Sequence, residues 1–222
     1  MSLLHSTLSH PCRGNERLES PISYIERQAI ITAAERKIEE LFEILRIDYR
    51  NDHNMRDTPN RVARMLVGET LRGRYTALPQ ITEFDNAQGY DQLLITGPVE
   101  LRSTCAHHLM PIFGEAFFGV LPSPEGRIIG LSKYDRILDH FAARLQIQEE
   151  LTKQVANYIV EVTKPRGLAV RISAVHMCKT HRGVKGSHQG RMINTLCWGE
   201  LDSNADMRNE FLQECLALES RC

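Results

Sequence analysis

At 222 residues, 42% hydrophobic and 25% charged, the chain reads as an ordinary soluble protein long enough to bury a core. Its formal net charge of −1 argues against nucleic-acid binding, which needs a basic surface, so an anionic ligand must be held by a local basic cluster. No apolar run approaches the roughly eighteen residues of a membrane helix and the N-terminus lacks an export-type hydrophobic stretch, so no membrane role is expected and the cytoplasm is the expected compartment.

Residues 1–21 carry Pro11, Gly14 and Pro21 without periodicity and read as a flexible N-terminal tail. From 24 to about 45, Ile25, Ala29, Ile30, Ala33, Ala34, Ile38, Leu41, Phe42 and Leu45 recur at three- and four-residue steps, which predicts an amphipathic helix. A second helix is expected from Asp57-Thr58-Pro59, with Thr58 as the N-cap and Pro59 at the first helical position, ending near Gly73. Residues 22–75 are thus read as a helical region, and 76–222 as the domain that carries the chemistry.

In that domain β-branched and aromatic residues predict strands at Leu93-Leu94-Ile95-Thr96, Val99-Glu100-Leu101 and Ala116-Phe117-Phe118-Gly119-Val120. Pro122-Ser123-Pro124-Glu125-Gly126 is a turn by composition. Residues 127–131 predict another strand, followed by a helix capped by Ser132 and a further helix from about 147 to 162, broken by Pro165 and Gly167. Alternation over 168–177 predicts a strand, 192–201 a last strand, and 205–218 a closing helix. The sum is an α+β fold with mostly antiparallel strands and helices grouped on one side.

Two short clusters stand out, Cys105-Ala106-His107-His108 and His176-Met177-Cys178. Cys105 and His108 are three apart in a bend after a strand, and His176 and Cys178 alternate in an extended segment, so each pair can turn toward one point. Cys105, His108 and Cys178 would fill three corners of a tetrahedron and leave the fourth for water, as catalytic zinc requires, with His107 and His176 left for proton transfer. The alternatives are a buried cysteine pair with surface histidines, or a closed four-ligand site built with a second histidine. The six cysteines show no disulfide framework.

Ser103-Thr104-Cys105-Ala106-His107-His108, Ile129-Gly130-Leu131-Ser132-Lys133, Arg144-Leu145-Gln146-Ile147-Gln148-Glu149 and Ala174-Val175-His176-Met177-Cys178 together resemble GTP cyclohydrolase I. The likeness extends to Asp57-Thr58-Pro59-Asn60-Arg61-Val62-Ala63 and to Arg208-Asn209-Glu210-Phe211-Leu212, in the same order along the chain. It implies a tunnelling fold (T-fold), in which antiparallel sheets of several subunits close a barrel, and a homodecamer with active sites between subunits. The implied reaction converts GTP and water into 7,8-dihydroneopterin triphosphate and formate, the first step of pterin and tetrahydrofolate biosynthesis. One zinc ion per subunit on Cys105, His108 and Cys178 is implied, with His107 and His176 moving protons.

The same resemblance assigns Glu149, with Gln148 beside it, to the guanine edge, whose ring N–H and exocyclic amine a carboxylate can accept together. It assigns Ser132, Lys133, Arg136, Arg182, Arg61 and Arg64 to the triphosphate. Two departures stand out. Ala106 replaces a common Glu, and residues 185–194 replace a segment usually rich in Ser and Thr. His181 and His188 are read as loop residues and Cys197 as a core thiol.

Overall fold

The computed structural model describes residues 12–219, which fall into a first unit ending at Ala77 and a second beginning at Leu78. In the first unit, helix α1 (Tyr24–Ile44) begins in a capping box: the Ser23 hydroxyl accepts from the Glu26 amide at 3.2 Å while the Glu26 carboxylate accepts from the Ser23 amide at 2.8 Å. Helix α2 (Thr58–Met65) runs into a π-helical turn (Leu66–Thr70) and a short helix α3 (Arg72–Tyr75), and Ile31, Ala63 and Val67 form the buried contact of this unit. Asp57, not Thr58, is the capping position of α2, and its side chain makes no capping bond.

Of the expected tail, residues 1–11 lie outside the described residues. Residues 12–22 are tied to α3. The Arg74 guanidinium donates to the carbonyls of Gly14 (2.7 Å) and Glu16 (3.1 Å), and the Leu18 amide donates back to Arg74 at 2.9 Å. Turn-forming residues here wrap a cation that composition alone does not pair with them.

The second unit is built on a five-stranded sheet in the order β5-β2-β3-β6-β7, from β2 (Leu94–Cys105), β3 (Pro111–Leu121), β5 (Leu145–Gln146), β6 (Gly167–His176) and β7 (Met192–Gly199). All pairings are antiparallel except the short β2–β5 pair, which is parallel, so the sheet is mixed. The two separate strand segments expected over 93–101 are one strand, with a register shift between Thr96 and Val99 where Pro98 offers no N–H to the ladder. Strands β1 (Glu83–Asp85) and β4 (Arg127–Ile129) form a separate two-stranded sheet.

Helices α4 (Ser132–Ala142) and α5 (Gln148–Thr163) cover one face of the main sheet, where Ala116, Phe118, Val170, Ile172 and Ala174 meet Ile137, Leu138, Leu151, Val155 and Ile159. The expectation that helices group on one side is corrected here. Phe117, Leu121 and Ala169 alternate to the opposite face and are buried by Leu201 of the short helix α7 (Glu200–Ser203) and by Phe211 and Cys215 of α8 (Ala205–Glu219). β6 is buried along nearly all its length, with only Arg171 and His176 half-exposed, so its alternating sequence does not mark a solvent face. Leu131, not Ser132, occupies the N-cap of α4.

Candidate metal centre and active site

Sheet topology brings the two clusters together. Strand β2 ends at Cys105 and β6 ends at His176, both running antiparallel to β3, whose first residues pair with each: Thr104 with Pro111, and Ile112 with His176. The ends of two strands distant in sequence therefore lie at one edge, on either side of β3. The bend after β2 is closed by the Leu109 amide donating to the Cys105 carbonyl at 3.0 Å and the Cys105 amide donating to Met110 at 2.8 Å. Leu109 closes it with φ of +54°, a left-handed conformation costly for a branched side chain and typical of positions where a site dictates the backbone. Past His176 the chain turns into a single helical turn, α6 (Met177–Thr180), which presents Cys178.

The ligand atoms of Cys105, His108 and Cys178 lie within 4.8 Å of one another, with Cys105 buried, Cys178 half-buried and His108 exposed. Among the described residues these three make the group that could hold a metal ion. Burial, and next the neighbouring Cys105 thiol, raise the Cys178 thiol above its ordinary value, while Arg182 pulls the other way. Two thiols side by side resist ionising together unless a cation sits between them. Two sulfurs and one imidazole are the donor set of a soft or borderline transition metal, so the residues fit such an ion. The His107 ring stands beside them, its Nδ1 3.9 Å from Cys105 Sγ and its centroid 6.2 Å from that of His108.

His176 borders a cavity of about 380 Å³ together with Cys178, Lys179, Gly190, Arg191 and Met192. Its Nε2 is 2.8 Å from Gln148 Oε1, and burial first of all holds the imidazole below its usual value, with Glu149 opposing and Lys179 reinforcing the shift. Gln148, at the start of α5, is only 1% exposed. Its Nε2 faces three acceptors: Asn194 Oδ1 at 2.7 Å, the Met192 carbonyl at 3.1 Å and the Ile172 carbonyl at 3.2 Å. Glu149, the next residue, is exposed. Thr152 and Asn194 complete this network, and sequence reasoning singled out neither for it. The only local signal is the four-residue step from Gln148 to Thr152 on one helix face.

The expected triphosphate residues divide. Arg182 lies close enough to Cys178 to influence its thiol. Ser132, Lys133 and Arg136 sit in the first turns of α4, whose last residue, Ala142, accepts from Ser103 beside the metal cluster at 2.7 Å. The start of α4 therefore lies about 15 Å from Ala142 along the helix axis. Arg61 and Arg64 are on α2 of the first unit, where Arg61 pairs with Asp57 at 3.5 Å. Lys179 and Arg191, basic residues at the cavity that sequence reasoning did not single out, belong to the same edge. His181 and His188 are exposed in the loop after α6, and Cys197 packs against the α8 core, as expected.

The family model for GTP cyclohydrolase I matches residues 34–216. GTP cyclohydrolase 1 of Shewanella denitrificans is 37% identical over 96% of this chain and 99% of its own length. That of Brucella suis is 39% identical over 70% of this chain and 72% of its own. Among solved structures, the archaeosine synthase QueF-Like in the apo form aligns at 13% identity over 49% of this chain and 92% of its own, with a TM-score of 0.38, too distant to carry any inference. With its cysteine and histidine clusters meeting at one sheet edge, the chain belongs to the GTP cyclohydrolase I family.

Proposed function

We propose that this chain is a zinc-dependent GTP cyclohydrolase I that converts GTP and water into 7,8-dihydroneopterin triphosphate and formate, the opening step of pterin and tetrahydrofolate biosynthesis. The observation that carries the reading is the meeting of Cys105, His108 and Cys178, donors within 4.8 Å of one another, beside His107 and His176 in a chain of this family. Zinc held by two thiolates and one imidazole, one ion per subunit, supplies the Lewis acidity that makes water a nucleophile near neutral pH.

The remaining roles fall to the chain itself. Glu149 accepts from the ring N–H and exocyclic amine of guanine, a pattern adenine lacks, and so places C8 of the purine at the sheet edge. His107 and His176 take and return the protons that imidazole opening, formate loss, the Amadori-type rearrangement of the ribose and pterin closure require. His176 suits this work because burial favours its neutral form. Arg182, with Arg61 and Arg64, neutralises the triphosphate.

Ser132, Lys133 and Arg136 serve the same anion from a neighbouring subunit, which their position at the far end of α4 supports. That arrangement suits a homodecamer with its active sites between subunits, its sheets closed into a T-fold barrel by the edges each leaves unpaired. A cytoplasmic setting accords with free cysteines at 12, 105, 178, 197 and 215. No described helix is long and apolar enough to cross a membrane.

The deciding experiment incubates GTP with zinc-loaded protein and measures formate together with pterin fluorescence after oxidation. Equal amounts of both are expected; tight GTP binding without formate would remove the assignment.

A further inference from the structure

The hydrogen-bond directions around Gln148 follow from chemistry alone. Its Nε2 lies 3.2 Å from the carbonyl oxygen of Ile172 and 3.1 Å from that of Met192. Carbonyl oxygens only accept, so the amide cannot be turned over without setting three oxygens against one another. The amide oxygen must then face His176, at 2.8 Å, and because it too only accepts, His176 Nε2 must carry the hydrogen. Nδ1 is left as the basic nitrogen of the neutral ring.

Two further residues hold Gln148 in this orientation. Thr152 Oγ1 donates to the main-chain carbonyl of Gln148, one helical turn back, at 2.8 Å. With its proton committed, the hydroxyl can only accept, and it does so from Asn194 Nδ2 at 2.8 Å. Asn194 is thereby oriented with Oδ1 toward Gln148 Nε2, at 2.7 Å, the shortest of the contacts that amide nitrogen makes. Thr152 is 0% and Gln148 1% exposed, so water does not compete for the bond between them, while Asn194 and His176 are half-buried at the two ends of the relay. The relay crosses three elements, α5, β6 and β7, and each member has one admissible orientation.

We propose that Thr152 and Asn194 are positioning residues which, through Gln148, hold His176 as the Nε2–H tautomer and so offer Nδ1 to the substrate as proton acceptor. The proposal rests on His176 as a proton-transfer group. Gln148 in this arrangement serves the imidazole rather than the guanine, since its amide nitrogen and oxygen are both engaged within the chain. Exposed Glu149 is left as the guanine contact. The segment of residues 185–194 ends in the asparagine that completes the relay.

The test compares formate release from GTP by the zinc-loaded full chain for wild type, Thr152→Val and Thr152→Ser. Thr152→Val, which keeps shape and removes the hydroxyl, is expected to lower kcat roughly tenfold to a hundredfold, as loss of an outer partner to a working histidine does, with KM for GTP held within about twofold. Thr152→Ser is expected to restore most of the rate. An unchanged kcat in Thr152→Val, or a loss confined to KM, overturns the proposal. Solid-state ¹⁵N spectra of histidine-labelled protein, with His176 assigned by comparison with His176→Gln, decide the tautomer whether or not Thr152→Val folds and whether or not GTP is turned over. Unprotonated Nδ1 is expected, and protonated Nδ1 overturns the proposal. A wild type that shows this tautomer but releases no formate separates failure of the assigned reaction from failure of the relay.

Discussion

Ser103 donates its hydroxyl to the main-chain oxygen of Ala142 at 2.7 Å, which fixes the last turn of α4 beside the strand that delivers Cys105. Both residues are buried, so the bond is shielded from water. Because a helix rises about 1.5 Å per residue, Arg136 lies about 9 Å and Lys133 about 14 Å from Ala142 along the axis.

If the sites are shared, two inactive variants should rescue each other. On the proposed assignment, Arg136→Ala lacks a triphosphate contact and Cys178→Ser lacks a metal ligand. Each alone is expected to be nearly inactive, and subunits reassembled from an equal mixture should regain about a quarter of wild-type activity, because one in four sites draws both intact parts. Formate release that stays at the level of the separate variants would place all the groups within one subunit.

Removing a sulfur tests the metal assignment separately from turnover. Cys178 lies on the single turn α6, outside the cores formed by α4, α5 and α8, and only packs against the edge of one of them. Cys178→Ser is expected to drop bound zinc from about one per chain toward zero while the far-ultraviolet circular dichroism is retained. Full metal occupancy in that variant would strike Cys178 from the ligand set.

Much of this site was legible because its donors sit close together in the chain: Cys105 with His107 and His108, His176 with Cys178. A strand end or tight bend converts such spacing directly into a shared direction. The strands and long helices were legible for the same reason, since period and local composition encode them. The Gln148–Asn194 bond joins residues 46 apart on different elements, and no local pattern records it. Burial of both faces of β3 and β6 was hidden likewise, because the closing helix that covers the second face looks like any other amphipathic segment. The caps of α2 and α4 were each misplaced by one residue: at α4 Ser132 outranks Leu131 by propensity alone, whereas at α2 Thr58 was preferred because it precedes Pro59, although Asp57 is the stronger capping type.

If Glu149 holds the guanine edge as proposed, it carries the discrimination between purines. Glu149→Ala should raise KM for GTP by roughly tenfold to a hundredfold, the size of a lost charge-assisted hydrogen-bond pair, with a smaller effect on kcat. Inhibition constants for GTP and ATP, measured side by side, should converge. Discrimination as sharp as that of the wild type would assign guanine to another residue.

Gly119 and Phe211 are fitted to each other. A Cβ on residue 119 would stand 2.6 Å from Phe211 Cδ2 and 3.1 Å from Cε2, inside contact distance, and Phe211 is fully buried. Gly119→Ala is expected to destabilise by about 1–3 kcal/mol through overpacking. Phe211→Leu vacates the space, so the double variant should lose less than the sum of the singles by on the order of 1 kcal/mol. Urea unfolding of the four proteins at one protein concentration measures the coupling, and strict additivity would mean that α8 shifts to make room.

Cys215 gives the fold a specific weakness toward alkali. Buried on α8, its thiol is pushed up to about 12 from an ordinary 9.0, chiefly by loss of hydration, with nearby Arg171 opposing and Glu219 reinforcing the shift. The unfolded chain releases this proton near 9, whereas the folded chain keeps it until about 12. Between those values the unfolded state binds fewer protons, so stability from this group is whole below pH 9 and declines as pH rises toward 12. Native protein at pH 8.5 should therefore resist iodoacetamide at Cys215 and become labelled there only on unfolding. In Cys215→Ala the fall in melting temperature between pH 9 and pH 11 should be shallower than in the wild type; parallel curves would show that the thiol ionises without opening the α8 core.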